Sequence, residues 1–305
     1  MEKSTYAWNL PADCGPLATR LAASGVNRIW IKAGVDNPGL RTVWKQWADS
    51  RTEAFVAVGI DVCPWFYVYP EDPATQIDTI VRALKARPST IIALNAEVEW
   101  DNVPEADVKF FIASLRFALV NAGLRVEKIG FSSVPSWDGQ KYGGSPYHNF
   151  PYEAFVLYTD FDMPQDYWMQ PDQAAYENLR NIDNSPVIPI LTACGEMTDA
   201  GIIERATKTL AECKNLAGFS AWECANGAYQ FDAIAKAYTM LPPDPPVSIA
   251  TAPSSITTPA TDWGAGSEGT VVARFEAIVV VNKDKVPYLG VRHNGQQLPW
   301  QEIKL

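Results

Sequence analysis

Histidine is almost missing from this chain: His148 and His293 are the only two in 305 residues, and they fall in separate parts of the sequence. A zinc site of histidines and cysteines, or a serine, histidine and aspartate triad, needs partners gathered around one of them, and no such gathering is visible. Cysteine is present but scattered. Cys14, Cys63, Cys194, Cys213 and Cys224 contain no C-x-x-C pair, so they read as buried free thiols. The pairing best placed to form would be Cys194 with Cys224, on strands that a barrel makes neighbours.

Positive charge is short as well. The chain carries 25 basic against 35 acidic residues, a net charge of −10, and no run of lysine or arginine that could neutralise a row of phosphates, which argues against nucleic acid as a partner. No apolar stretch approaches the length that crosses a bilayer, and the opening MEKSTYAWNLPADCG has no apolar secretory core. The expectation is a soluble protein without a membrane partner, cytoplasmic or released by lysis or in a virion. A glycine-rich phosphate loop is also missing after the first strand, where Leu10-Pro11-Ala12-Asp13-Cys14-Gly15 stands instead. That counts against an open dinucleotide-binding sheet and implies no cofactor.

What is present is enough for a large core: 47% hydrophobic and 20% charged residues describe a globular chain. Strand-like and helix-like segments alternate along it. The apolar segment Tyr6 to Leu10 precedes a helix signal over 14–24 and the strand signal Asn27 to Gly34. Helix-compatible residues 39–50 lead to Ala54 to Val62, 73–86 to Thr90 to Trp100, and 104–122 to Val126 to Ser133. Further strands are expected at Ala154 to Thr159, Val187 to Leu191 and Gly218 to Trp222, with helices over 171–182 and 199–214. The fold class is therefore α/β, and the count fits a (β/α)8 TIM barrel over residues 1–240. Apolar strands that turn polar at their C-terminal ends, as Ile91-Ile92-Ala93-Leu94 does before Asn95, support a closed barrel.

Residues 241–262, LPPDPPVSIATAPSSITTPATD, are rich in proline, serine and threonine and read as a linker. Residues 263–305 carry short apolar runs, Val279-Val280-Val281 among them, and a turn signal at Asn294-Gly295. A β-rich element this small seldom folds unaided. The expectation is an attachment or oligomerisation element, through which the chain would form a homo-oligomer or join a larger assembly.

The sharpest chemical signal is Asn95-Ala96-Glu97-Val98-Glu99-Trp100. In a strand, Asn95, Glu97 and Glu99 share a face, which would stack two carboxylates at the open end of the barrel, where glycosidic cleavage wants a proton donor. A second acid across the site is expected from Asp160 or Asp162, then Asp61, with Glu196 a further candidate. Trp100, Trp65, Tyr158 and Trp222 follow expected strand ends, and such planes cover the apolar faces of sugar rings while polar neighbours bind hydroxyls. Asn9, Lys32 and Asn95 are the polar candidates for substrate binding.

These residues give the chain a resemblance to the lysozyme-type glycoside hydrolases of family 25, single barrels in which an acid-x-Glu motif ends the fourth strand and an aromatic-rich pattern ends the eighth. Glu97-Val98-Glu99 and Phe219-Ser220-Ala221-Trp222 carry it. The resemblance implies Glu99 as proton donor and Glu97 as the group that assists the acetamido group or the intermediate, on a polysaccharide such as peptidoglycan. The chain departs from the family at Glu97, where aspartate is usual, and at Asn9, where an aspartate closes the first strand. Asn9 and a tail too small to be independent motivate a second expectation, a non-catalytic barrel that binds glycan or forms part of a larger assembly such as a phage particle. A third, an isomerase or aldolase, rests on Lys32 alone.

Overall fold

The computed structural model describes residues 1–34, 42–133, 141–142, 145–146, 149–166, 185–193, 197–213, 215–225, 227, 229–242, 275–281, 287–293, 296–297 and 301–302. The chain divides into two units, Met1–Pro246 and Val247–Leu305. In the first, eight parallel strands close into a barrel. They are β1 (Glu2–Ala7), β2 (Arg28–Gly34), β3 (Asp61–Val68), β4 (Ile91–Ala96), β5 (Lys128–Ser133), β6 (Phe161–Asp166), β7 (Ile190–Thr192) and β8 (Gly218–Trp222). Each pairs with its neighbours in sequence, and β1 closes the ring by pairing with β8. The TIM barrel read from the sequence is the fold observed.

The helices between strands have local causes. Asp72 caps α4 (Pro73–Ala86) by accepting the Thr75 N–H, and Pro73 occupies the first turn, where its missing donor costs nothing. Thr198 caps the later helix α7 (Asp199–Glu212) through Gly201 N–H. Between them α5 (Glu105–Asn121) starts with Glu105 and Asp107 at its positive end and buries Val108, Phe111, Ile112, Leu115 and Leu119. The remaining helices are α1 (Gly15–Ala23), α2 (Lys45–Ala48), α3 (Glu53–Ala57), α6 (Tyr152–Tyr158) and α8 (Phe231–Met240).

Two apolar layers result. One fills the barrel lumen with Tyr6, Trp30, Cys63, Trp65, Ala93, Phe161, Met163, Ile188 and Ile190. The other lies between the strands and the helical ring. Lumen residues come from alternate positions on each strand, as a closed parallel sheet requires. Gly130 marks a tight place in the lumen: a Cβ there would stand 2.1 Å from the Phe161 ring. At the closing seam, a Cβ on Gly218 would meet the Glu2 carbonyl oxygen at 2.1 Å.

Two strands begin later than the sequence suggests. The expected strand Ala54 to Val62 holds α3 and only the start of β3, and the expected strand Ala154 to Thr159 falls within and just after α6. The true strands contain Pro64 and Pro164, residues that ordinarily count against a strand interior. In the second unit, β9 (Phe275–Val281) and β10 (Pro287–His293) pair antiparallel, with short strands Gln296–Gln297 and Gln301–Glu302 on β10. The expected helix 171–182, the linker from residue 243 onward and the turn at Asn294-Gly295 lie outside the described residues.

Candidate active site

The acids of β4 sit where the strand gives way to a turn. β4 ends at Ala96, Glu97 follows, and Glu99 stands on a single 3-10 turn, Val98–Trp100. Both carboxylates are half-buried and hydrogen-bonded to lumen-side residues. Asn95 donates to Glu97 Oε1 at 2.8 Å, and Gln165 Nε2, from β6, reaches the same oxygen at 3.2 Å and Asn95 Oδ1 at 2.8 Å. Tyr67 of β3 donates its hydroxyl to Glu99, 3.0 Å from Oε2. Burial holds the Tyr67 phenol far above its usual range, and the charges of Glu97 and Glu99 push it further the same way, so it remains a donor at any working pH. Tyr69 packs against Tyr67 with ring centroids 4.9 Å apart and the planes tilted by 36°.

Beside this cluster is an aromatic floor. Trp8, Trp65, Trp222 and Tyr6 pack together with centroid separations between 5.4 and 6.1 Å. Trp65 is fully buried and donates to the Ala7 carbonyl at 3.2 Å, while Trp8 and Trp222 are only partly covered. Lys32 is buried against the same group: its ammonium stands 3.4 Å from the Trp8 ring centroid, 4.7 Å from Trp44 and 5.3 Å from Trp65, a placement in which ring faces help to replace lost hydration. Gln46 fixes the edge of the floor by donating to the Trp8 and Lys32 carbonyls and accepting from Leu10 N–H. Glu223, the residue after β8, accepts the Trp8 N–H at 2.8 Å. Burial raises its carboxyl above the usual range, and that hydrogen bond offsets part of the rise.

Several residues singled out from the sequence are elsewhere. Asp61 opens β3 and pairs with Arg28 at 3.0 Å, and Asp160 precedes β6 and pairs with Arg116 at 2.8 Å. Both belong to the N-terminal end of the barrel, opposite Glu97, because the strands that carry them start late. Asp160 there lines a recess of about 450 Å3 with Glu2, Arg28 and Lys128. Tyr158 ends α6, under the Lys109 ammonium. Trp100 is not a platform: it is buried between barrel and helices against Phe111 and Phe155 and donates to the Val68 carbonyl at 2.9 Å. Asn9 is exposed beyond β1. Trp65, Trp222, Lys32 and Asn95 stand with the cluster or its floor. Glu196 and Cys194 lie outside the described residues, and the other four cysteines are buried free thiols.

Asp162 faces away from the lumen, since its strand neighbours Phe161 and Met163 fill it. It is wholly buried, accepts the Tyr152 hydroxyl, and leaves Oδ1 without a hydrogen-bond partner. Burial pushes its carboxyl up to about 7.

Sequence reading missed Gln165, hidden by the displaced strand, and the role of Tyr67, although its parity with Trp65 along Trp65-Phe66-Tyr67 places both in the lumen. It also missed Glu223, one residue past the motif that ends β8. Among the described residues, no group of three histidine, cysteine or acidic side chains is placed to hold a metal, and no helix is long and apolar enough to cross a membrane.

No protein-family profile matches the chain, and none of the curated proteins does. Solved structures do match. A chitinase from Chromobacterium violaceum is 14% identical with a TM-score of 0.54, covering 77% of this chain and 97% of its own. A family 18 chitinase from Cycas revoluta with bound (GlcNAc)3 is 8% identical with a TM-score of 0.57, covering 79% and 99%. A spore cortex-lytic enzyme from Bacillus cereus is 11% identical with a TM-score of 0.55, covering 78% and 74%. These matches do not carry the narrower family 25 resemblance. At such identities the likeness is one of fold: the chain forms a (β/α)8 barrel resembling those of glycoside hydrolases.

Proposed function

We propose that the barrel hydrolyses a β-linked polymer containing N-acetylated amino sugars, such as peptidoglycan or chitin. The observation that supports this most is the Glu97 and Glu99 pair at the C-terminal end of β4, each carboxylate held by its own donors beside a tryptophan floor. TIM-barrel chemistry is concentrated at that end. Glu99 is the proton donor to the glycosidic oxygen as the bond to C1 breaks. Glu97, oriented by Asn95 and Gln165, accepts the acetamido N–H, so that the acetamido oxygen closes on C1 in place of a protein nucleophile. Water then opens that ring, with Glu99 taking back a proton. Trp222 and Trp8 offer flat apolar surfaces to the sugar.

The test measures cleavage of N-acetylglucosamine oligomers and of purified peptidoglycan by wild type, Glu99→Gln and Glu97→Gln, with products read by mass spectrometry. Wild type is expected to cleave at least one, and each variant to lose about 10²- to 10⁴-fold in kcat while still binding. Binding by wild type without cleavage would establish a glycan-binding barrel instead. Neither binding nor cleavage sinks the carbohydrate reading.

A further inference from the structure

α5 is apolar on two sides. Its inner face is buried against the barrel, yet its outer face carries Phe110, Ala113, Phe117 and Val120, spaced to form one stripe. Phe110 is 47%, Phe117 37% and Val120 74% exposed, and Leu157 of the neighbouring α6 adds a side chain that is 74% exposed. Their exposed areas sum to roughly 400 Å2, the size of the largest apolar patch on many monomers, which is often functional. An apolar outer stripe on a helix whose inner face is already buried is a surface that burial against a partner would stabilise.

We propose that this face binds the same face of a second copy of the chain, with the two α5 helices antiparallel about a twofold axis near Leu115. The pattern of the stripe is self-complementary under that operation. Phe110 falls opposite Val120 of the other copy, and the small Ala113 falls opposite the large Phe117, so that bulk meets space at both ends. Charge agrees with the same direction. Glu105 and Asp107 make the N-terminal end of α5 acidic. Arg125, just beyond its C-terminal end, has a side chain that is 85% exposed and among the described residues pairs with the surface residue Glu127, a kind of pair that gives little stability. Antiparallel pairing brings each acidic end to the other copy's Arg125. A parallel pairing would set like charges together. The stripe supplies the apolar centre of an interface whose polar rim must provide the rest of the ~800 Å2 per partner that a standard interface buries.

Sedimentation velocity of the full chain from about 1 to 100 µM tests this. Wild type is expected to form dimers within that range, and Val120→Glu and Phe110→Asp to remain monomeric, with the melting temperature of Val120→Glu close to wild type because Val120 is 74% exposed. Glu105→Arg and Arg125→Glu should each weaken the dimer several-fold, and the double reversal should recover it. A wild type that stays monomeric at the highest concentration overturns the proposal. So does a dimer that survives both apolar substitutions, which would be held through another element such as the C-terminal unit. A double reversal no tighter than the single ones overturns the antiparallel arrangement.

Discussion

Replacing Asp162 with asparagine should flatten the dependence of stability on pH between about 4 and 7. Asp162 is wholly buried, and its carboxyl titrates near 7 in the folded protein against 3.8 ordinarily. The folded state therefore keeps a proton that the unfolded state has released between those values. Since folded protein then binds more protons, stability falls as pH rises through this window: the contribution is complete below about 4 and lost above about 7. At about 1.4 kcal/mol per tenfold change in proton affinity, the loss amounts to about 4 kcal/mol. For a unit of this size that is about 8 to 16 °C in melting temperature, and structural relaxation around the charge reduces it, so about half that range is expected. The nearest titratable neighbours do not confuse the window. Burial raises the Tyr152 phenol far above its usual range and the Cys213 thiol to about 11. The assay is a melting curve of wild type and Asp162→Asn in buffers of equal ionic strength from pH 4.5 to 8.5. At low pH the variant should be the less stable, because its new amide hydrogens meet the place where Oδ1 has no partner. Its deficit should shrink by several degrees as the pH rises and wild type ionises. A difference between the two that stays constant within about 1 °C, or widens with pH, refutes the reasoning.

Three other outcomes follow from the site and its support. Tyr67→Phe removes the hydroxyl that donates to Glu99 at 3.0 Å and should lower kcat about tenfold with KM nearly unchanged; steady-state kinetics with unchanged kcat would separate Tyr67 from the reaction. Trp222→Ala opens the aromatic floor and should weaken glycan binding by about 10- to 100-fold in calorimetry, the amount expected for one stacking plane of about 1–3 kcal/mol. Gly130→Ala sets a methyl group 2.1 Å from the Phe161 ring and should cost about 3 kcal/mol in urea denaturation; a loss below about 1 kcal/mol would mean that the lumen is looser than the packing shows.

The barrel was legible because most of its strands are apolar runs bounded by polar ends, and because helix signals such as Asp72 before Pro73 punctuate them correctly. The site was half legible. Glu97 and Glu99 directly follow a strand without proline, whose end could be read within a few residues. Asp61 and Asp160 were misplaced for one shared reason: Pro64 and Pro164 sit inside β3 and β6, so the β-branched and aromatic residues of α3 and α6 made the better strand signals. Moving each strand too early sends its first acid to the wrong end of the barrel. It also conceals Gln165, which reaches Glu97 only because β6 starts at Phe161. Trp100 failed differently. It shares the parity of Ala96, so even an extended strand would have turned it away from the lumen, and it packs with Ala96 in the layer between strands and helices.

The pairing of β1 with β8 also dictates when the site comes into being. Thr5 bonds the Ala221 carbonyl across a separation of 216 residues, and the Trp8 N–H waits for Glu223. At about 5 to 20 residues per second, a ribosome delivers those partners roughly 10 to 40 s after the first strand has emerged. Until then one edge of β1 is open to whatever else can pair with it. Tyr6 and Trp8 of the aromatic floor come from the first ten residues, Trp65 from β3, and Trp222 from the last strand of the ring. A nascent or prematurely ended chain therefore has Glu97 and Glu99 but lacks Trp222 and Glu223, so that the proposed recognition of glycan would belong only to the finished barrel.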